Sequence, residues 1–562
     1  MRLYLMLKLN PRQHDNYNMP NTKYIFVIGG VMSSVGKGIT CSSIGTILKA
    51  RGYHPTIIKI DPYINIDAGT INPTEHGEVF VTEDGDETDQ DIGNYERFLN
   101  ENIYSANYMT TGRVYLSVIE RERRLEYDGE DVEVVPHIPL EVIDRIKTAG
   151  KKAKSDIVIT EIGGTVGEYQ NVLFLEAARM MKQEAQDDIL FVLVSYLPIP
   201  AKVGEMKTKP TQYASRSLNS TGIQADFIIC RSEKAIDKKR REKLATFCGV
   251  DKFAAISAPD VDSIYEVPCI LEKEDFSKKI LEKLDLKVNK SKLKDWVGLI
   301  KKIKKAKKQI KIAVVGKYFG TGDYELADAY ISVIEAAKHA SWAQGAVPKM
   351  SWIDAEDYEK NPKQVKELSE YDGIIVPGGF GARGVEGIIN AIKYARKNNI
   401  PYFGLCYGMQ LATIEFARNV AKIRNAHTVE IDPETKHPVI HIMPDQEKKM
   451  LDRDYGASMR LGSWKAKLVK HSKAHKAYKD IKIEERHRHR YEYNNEYREK
   501  LENQGLKITG TTPDGHIVEI VELENHPWFV GVQFHPEFKS RPLSPHPLYM
   551  DFIKACLKSR RN

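Results

Sequence analysis

Tyr24-Ile25-Phe26-Val27-Ile28-Gly29-Gly30-Val31-Met32-Ser33-Ser34-Val35-Gly36-Lys37-Gly38-Ile39 runs from an apolar, β-branched segment through two glycines and a loop of small residues to one lysine and a helical pattern. This layout predicts a buried strand, a phosphate-binding loop and a helix. The glycines let backbone N–H groups close around phosphate oxygens, the helix start adds positive potential, and Lys37 reaches the outer phosphates. The spacing from Gly30 to Gly36 is one residue longer than the common pattern, and Gly38 stands where Ser or Thr usually ligates magnesium. Glycine has no ligating atom, so a metal here must find carboxylates elsewhere. The plain alternative is a tight strand–helix turn with no ligand.

Outward from that loop, Thr56-Ile57-Ile58-Lys59-Ile60 reads as a second buried strand. A polar, acid-rich tract follows from His76 through Glu78, Glu83 and Asp86 to Asp91. Asp156-Ile157-Val158-Ile159-Thr160-Glu161 is a third strand, with Glu161 at the carboxyl end that faces the ligand crevice of an open parallel sheet. Asp91 and Glu161 are therefore the candidate metal ligands, weighed against the reading of both as solvated loop carboxylates. Further strands are expected at 189–194, 227–230 and 254–256, with helical stretches between them, which predicts a mostly parallel, doubly wound α/β sheet. Lys207-Thr208-Lys209-Pro210-Thr211-Gln212 places two lysines around a threonine, suited either to a second polyphosphate or to plain solvation.

The 562 residues allow two or three domains, each with its own core. A net charge of +7 suits small anionic substrates and falls short of the concentrated basic face of a nucleic-acid binder. Cys41, Cys230, Cys248, Cys269, Cys406 and Cys556 are dispersed without a CxxC pair, so a reducing cytoplasm is expected, with no disulfide framework or zinc site. The apolar stretch 1–9 is too short to cross a membrane and has no cleavage site. Residues 1–21 read as a loosely held extension, with Met19 as an alternative start. A lysine-dominated run at 287–311 carries Trp296, Leu299, Ile300 and Ile303 at helical spacing, a basic linker helix or a basic arm. The expected division is therefore 22–288, a linker at 289–310, and 311–562.

The second part restarts with the strand Ile312-Ala313-Val314-Val315. Gly373-Ile374-Ile375-Val376-Pro377-Gly378-Gly379-Phe380-Gly381 enters a glycine-rich turn, and Pro401-Tyr402-Phe403-Gly404-Leu405-Cys406-Tyr407-Gly408-Met409-Gln410 puts a cysteine at the apex of a strand–turn–helix elbow. A thiol near a helix N-terminus is a poised nucleophile. Val530-Gly531-Val532-Gln533-Phe534-His535-Pro536-Glu537 then delivers a histidine and, two residues on, a carboxylate. In this arrangement Cys406 attacks, His535 exchanges the proton and Glu537 orients the imidazole. Backbone N–H groups at Gly379 and Tyr407 are placed to form an oxyanion hole.

With both halves read, the cysteine elbow, the glycine turn and His535-Pro536-Glu537 resemble class I (triad) glutamine amidotransferases. The phosphate loop, Lys59-Ile60-Asp61-Pro62-Tyr63-Ile64-Asn65, His76-Gly77-Glu78-Val79-Phe80-Val81, Glu161-Ile162-Gly163-Gly164-Thr165-Val166-Gly167, the 207–212 segment and Glu485-Arg486-His487-Arg488-His489-Arg490-Tyr491-Glu492 resemble the CTP synthase family, in order from about Lys23 to near the C-terminus. The resemblance implies two doubly wound domains, a phosphate-loop synthetase and a glutamine amidotransferase, that make CTP from UTP, ATP and L-glutamine. It implies ATP at Ser34, Val35, Gly36, Lys37, Gly38, Ile39 and Asp91, with magnesium on Asp91 and Glu161. Pyrimidine nucleotide falls to Ser33, Glu168, Tyr169, Gln170, Lys207, Thr208, Lys209, Pro210, Thr211, Gln212 and Lys243. Ammonia enters at His76, and glutamine is held by Gly379, Tyr407, Gly408, Met409, Gln410, Glu430 and Arg490. GTP activation, CTP feedback inhibition, a cytoplasmic homotetramer and filaments are further implications; no nucleic acid or membrane partner is.

Three departures bear on that expectation. Tyr407 stands where many members carry leucine or phenylalanine, Gln170 where many place a glutamate, and the loop Gly320-Thr321-Gly322-Asp323-Tyr324-Glu325 is longer than usual. They imply an altered glutamine pocket and altered affinity for UTP or for CTP. Two other readings stay open here: amidation of a corrin-precursor carboxylate on the same pair of domains, and a nucleotide-sensing scaffold or filament.

Overall fold

The computed structural model describes residues 22–202, 204–317, 320–321, 324–325, 327–443, 446, 456 and 458–559. The N-terminal extension, with Met19, lies outside them, as does much of the longer loop near 320–325. Strand β1 (Lys23–Gly29) leads through the glycine loop into helix α1 (Lys37–Ala50). The other strands of the main sheet of this half are β2 (Pro55–Asp61), β3 (Tyr108–Thr110), β4 (Ile157–Ile162), β5 (Ile189–Tyr196), β6 (Phe227–Ser232) and β7 (Ala255–Pro259). They form one sheet in the order β3-β2-β4-β1-β5-β6-β7, and every pairing is parallel. Ile25, Val27, Ile57, Ile159 and Val192 are fully buried on one face and Phe26, Ile58, Val158 and Leu193 on the other. A sheet covered on both faces needs such continuous apolar runs. Because β1 lies between β4 and β5, the loops after these three strands share one edge of the sheet, where the ligand crevice of a doubly wound fold opens.

The basic stretch expected as a linker helix over 289–310 is helical over α4 (Lys294–Lys305); Trp296 and Leu299 bury against Phe98, Tyr265 and Trp342 while the lysines face outward. Strand β8 (Lys308–Gly316) begins inside that stretch, since Ile310 is buried and the strand pairs along β9 (Ala346–Asp354) from its first residue. With β10 (Gly373–Val376), β11 (Tyr402–Leu405), β12 (Arg460–Leu468), β13 (Lys482–His489), β14 (Leu506–Thr511), β15 (Val518–Leu523) and β16 (Phe529–Val532) it builds a sheet ordered β9-β8-β10-β11-β16-β15-β14-β12-β13. Pairings from β9 to β16 are parallel and the rest antiparallel.

Buried charges join the halves. Arg486, fully buried on β13, donates to Glu83 Oε2 (2.8 Å) and Glu96 Oε1 (3.0 Å), and Arg541 donates to Glu96 Oε2 (2.8 Å). Arg488 donates to Glu87 Oε1 at 2.7 Å. Leaving one such partner unpaired costs about 3–5 kcal/mol, so these contacts fix how the halves dock.

Candidate active sites and the cavity between them

The carboxylates sought for the phosphate loop converge on a lysine. Lys59, a charged residue in the buried strand β2, donates to Asp91 Oδ2 and, at 3.2 Å, to Glu161 Oε1; Asp89 and Asp61 stand 3.6 and 3.7 Å from its Nζ. Burial opposes that charge, yet the four carboxylates hold the ammonium far above the usual lysine range. Burial likewise works against the Asp91 carboxylate, but Lys59 outweighs it and holds the group below the usual range. Glu161 stays raised by burial, with Lys59 opposing, and Tyr95 donates to its Oε2. A Cβ added at Gly38 would sit 2.2 Å from Asp91 Oδ1. The carboxylate has taken the room that a Ser or Thr side chain fills in the common loop.

This set fits a magnesium ion. Among the described residues there is no cluster of three or more metal-ligating side chains, but magnesium takes one or two carboxylates and completes its shell with water and phosphate. Asp91 and Glu161 meet at a point already occupied by positive charge, and four carboxylates around one ammonium leave a local excess of negative charge.

Lys37 donates to Gly164 O at 2.7 Å, beside the same cluster. Ser33 and Ser34 are exposed on the loop, Gly36 takes φ 87°, and the Gly36 Cα lies under the Arg231 guanidinium, about 4 Å from an added Cβ. Residues 207–212 follow β5 and open helix α3 (Lys209–Ser220), with Thr211 bonded to Ser195 (2.9 Å) and Thr208 to Gln212 (3.0 Å). Lys207 pairs with Glu205 at 2.8 Å, a carboxylate that also feels Lys243. Glu168 folds onto Thr165, accepting from its N–H (2.9 Å) and hydroxyl (2.6 Å), while Tyr169 and Gln170 are exposed. His76 sits with Nδ1 3.3 Å from Asp89 Oδ2, edge-on to Tyr63.

At the second site Cys406 joins β11 to helix α6 (Tyr407–Asn419) with φ 49° and ψ −97°, a strained conformation for a residue bearing a side chain. Its N–H is held by Val532 O (2.7 Å). An added Cβ at Gly404 or Gly408 would lie 2.8 and 2.3 Å from backbone atoms of Gly408 and Val376, so no larger residue fits the elbow. The N–H groups of Tyr407 and Gly408 open α6 and have no acceptor within it. Gln533 donates to the Cys406 Sγ at 3.6 Å, and Gln410 donates to Tyr491 O (2.9 Å).

His535 Nδ1 lies 2.7 Å from Glu537 Oε1, and its ring stacks on Phe538. Burial of the ring works against a positive charge; Glu537 and then Cys406 outweigh it and hold the imidazole up to about 10. The thiol is close enough to act electrostatically, yet His535 Nε2 makes no well-formed hydrogen bond among the described residues.

The glycine loop is tied down from three sides. Gly381 N donates to Glu430 Oε1 (2.7 Å), while Gly381 O accepts from the Tyr407 hydroxyl (2.8 Å) and from Lys317 Nζ. The lysine lies over the Tyr407 ring, 4.6 Å from its centroid, and burial lowers its amine to about 8 against the pull of Glu430. The Tyr407 departure therefore adds a tether. Met409 is fully buried behind the elbow, and Arg490 donates to Gln446 Oε1 (2.9 Å) and Ser458 Oγ (3.1 Å).

A cavity of about 70 Å³ opens onto Cys406, His535 and Gly379 and is walled on its other side by Pro73, Glu78 and Val79 from the N-terminal half. Those three residues flank His76.

Lys59, Lys317, Arg231 and Glu78 were given no role by the sequence reading. A lysine inside an apolar strand is a legible signal for the first; the other three are visible only once distant segments meet.

A phosphate-loop crevice with a carboxylate pair and a cysteine elbow with a His–Glu pair, each on its own doubly wound sheet, define a synthetase joined to a class I glutamine amidotransferase. Comparison with known proteins narrows this. Residues 23–286 match the family model for the CTP synthase N-terminus and residues 325–555 that for glutamine amidotransferase class-I. The CTP synthase of Clostridium kluyveri is 51% identical over 542 residues, 96% of this chain and 99% of that one; that of Bacillus subtilis is 48% identical over 540 residues, with the same shares covered. The chain belongs to the CTP synthase family. A solved structure titled Trypanosoma brucei CTPS, glutaminase domain with bound acivicin, is 40% identical and covers 44% of this chain and 94% of that one, with a TM-score of 0.41. The enzyme is a glutamine-hydrolysing ligase of pyrimidine nucleotide synthesis, with UTP, ATP and glutamine as its substrates.

Proposed function

We propose that the two sites work in series, with ammonia made at Cys406 consumed at the phosphate-loop crevice without entering bulk water. The observation that carries this reading is the shared cavity: the thiol and the segment around His76 line one space. Free ammonia at neutral pH becomes mostly ammonium and loses its nucleophilicity, so an enclosed path preserves the reactive form.

At the elbow, Cys406 attacks the side-chain amide of glutamine after His535 takes the thiol proton. His535 returns that proton to the departing nitrogen, and the N–H groups of Gly379 and Tyr407 receive the developing oxyanion. With its proton affinity raised to about 10, the imidazole keeps the proton it has taken from the thiol at neutral pH until the departing nitrogen receives it. Tyr407, Gly408, Met409 and Gln410 shape the pocket, and Glu430 and Arg490 take the charged amino and carboxylate groups.

In the crevice, the loop 34–39 and Lys37 bind ATP. Ser33, residues 168–170 and 207–212, and Lys243 serve the pyrimidine nucleotide. Phosphoryl transfer to O4 of UTP turns a poor leaving group into phosphate, and ammonia admitted past His76 displaces it at C4. Asp91 and Glu161 would hold magnesium, whose charge offsets that of the phosphates. Lys59 donates to both carboxylates, aims them at that point and holds Asp91 below its ordinary range.

GTP activation, CTP inhibition felt at Gln170, and a cytoplasmic homotetramer complete the proposal, with domains at 22–288 and 311–562 around the 289–310 linker. Exposed apolar residues Leu116, Ile119, Val134, Val135, Tyr169 and Val172 support a self-association surface; among the described residues no helix is long and apolar enough to cross a membrane. The test is CTP formation from UTP, ATP and magnesium with glutamine, then with an ammonium salt. Product from both supports the series; product from ammonium alone breaks it at Cys406 or at the passage.

A further inference from the structure

One charged group in the wall of the shared cavity has no part in either reaction. Glu78, 8% exposed, follows the short helical turn Pro73–His76 of the N-terminal half. Both its carboxylate oxygens accept from the backbone N–H of Ser332, each at 3.2 Å, and Oε2 also accepts from the Ser332 hydroxyl. Ser332 is fully buried in the first turn of helix α5 (Ile331–Ala343), in the other half of the chain. Its hydroxyl accepts from Arg97 Nη1 at 3.2 Å. The backbone N–H of Glu78 donates to Asp328 O at 3.0 Å, so this residue is clamped at both ends onto the segment leading into α5.

Helix α5 has no side-chain cap from its own N-cap residue, since the Tyr330 hydroxyl reaches Gly378 O and not the first turn of the helix. First-turn N–H groups of a buried helix must find acceptors, and a serine or aspartate at 330 would supply one locally. A carboxylate brought from the other half meets stronger opposition. Burial, with Glu537 adding to it, pushes the Glu78 carboxyl up to about 7, and Ser332 and Arg97 oppose that rise. What a transferred cap achieves and a local one does not is contact across the boundary: it holds the two walls of the cavity together.

We propose that Glu78 is a positioning residue that closes the ammonia passage, its carboxylate sealing the side of the cavity between the Cys406 thiol and His76 by capping α5 across the domain boundary. This rests on the serial reading of the two sites above.

The test uses the full-length enzyme and the variants Glu78→Ala and Glu78→Gln. Glutamate, CTP and free ammonium are measured in one glutamine-driven reaction, beside CTP from an ammonium salt, which bypasses the passage. In the wild type CTP should track glutamate. In Glu78→Ala the CTP formed per glutamate should fall at least about fivefold, the low end for a buried donor that loses its acceptor, with the missing nitrogen recovered as ammonium. Glu78→Gln, which keeps one acceptor oxygen and the shape, should fall between the two and carries the test if the alanine variant does not fold. A purely structural role would lower the thermal midpoint and all rates together and leave the ratio unchanged; that result overturns the proposal. A wild type that itself releases ammonium in step with glutamate removes the passage, and the cap with it.

Discussion

The two sites of this chain solve opposite problems. The elbow at Cys406 is complete within the protein: strained backbone, His–Glu pair at 2.7 Å and tethered glycine loop are all supplied by its own residues. The crevice at the phosphate loop is electrostatically unfinished. Lys37 rests on a backbone carbonyl, Tyr169 and Gln170 face solvent, and four carboxylates share one ammonium. A site that must generate a nucleophile on demand gains from preorganisation. In the serial reading proposed above, the crevice gathers two anionic nucleotides and keeps charge in reserve for them.

If that contrast holds, damage should separate cleanly by nitrogen source. Cys406→Ala should abolish glutamine-driven CTP synthesis and leave the ammonium-driven rate within about twofold; joint loss would mean that the two sites are not separable. Glu537→Gln should lower glutaminase turnover on the order of 10⁴-fold, as when a triad loses the carboxylate behind its histidine. It should also move the pH profile. The His535 imidazole is held above its ordinary value, so the charged ring contributes fully below about 6.5 and is lost as pH rises through about 10. Without the carboxylate, the alkaline fall in glutaminase rate should shift to lower pH, and an unmoved limb would assign that limb to another group.

Asp91→Asn or Glu161→Gln should cost about a hundredfold with either nitrogen source, measured as CTP formed at saturating magnesium. An unchanged ammonium-driven rate would remove them from the crevice. The smallest effect is expected at Tyr407. Replacing it by phenylalanine removes one of the three ties on Gly381. The KM for glutamine should rise by about two- to fivefold, with kcat little changed, matching one neutral hydrogen bond. A larger fall in kcat would make the hydroxyl part of the oxyanion-loop geometry.

Both sheets were legible in the sequence because their buried strands are continuous apolar runs and their turns are glycines. The elbow was the clearest case: Gly404 and Gly408 admit no Cβ, and that steric fact is written in five consecutive residues. Asp91 lies against Gly38, where an added side chain and the carboxylate would occupy the same space, a proximity that acidic composition alone does not encode. Lys59 stands out in the sequence as a charge in an apolar strand, but nothing local names the four carboxylates that surround it. The helix of the basic linker is shorter than the 289–310 stretch expected for it, since lysine periodicity carries no sign that Ile310 already belongs to β8.

The sequence by itself determined the local conformations and their order: strand, phosphate loop, helix, elbow and the His-Pro-Glu strand end. These follow from sterics and hydrophobic periodicity within a few residues. Only the tertiary structure decided that Glu78 caps a helix through Ser332, 254 residues later, that Arg486 pairs with Glu83 across 403 residues, and that Lys59 draws four carboxylates together. The strength and even the sign of such effects depend on burial and on distances between segments remote in sequence, and no local pattern encodes either.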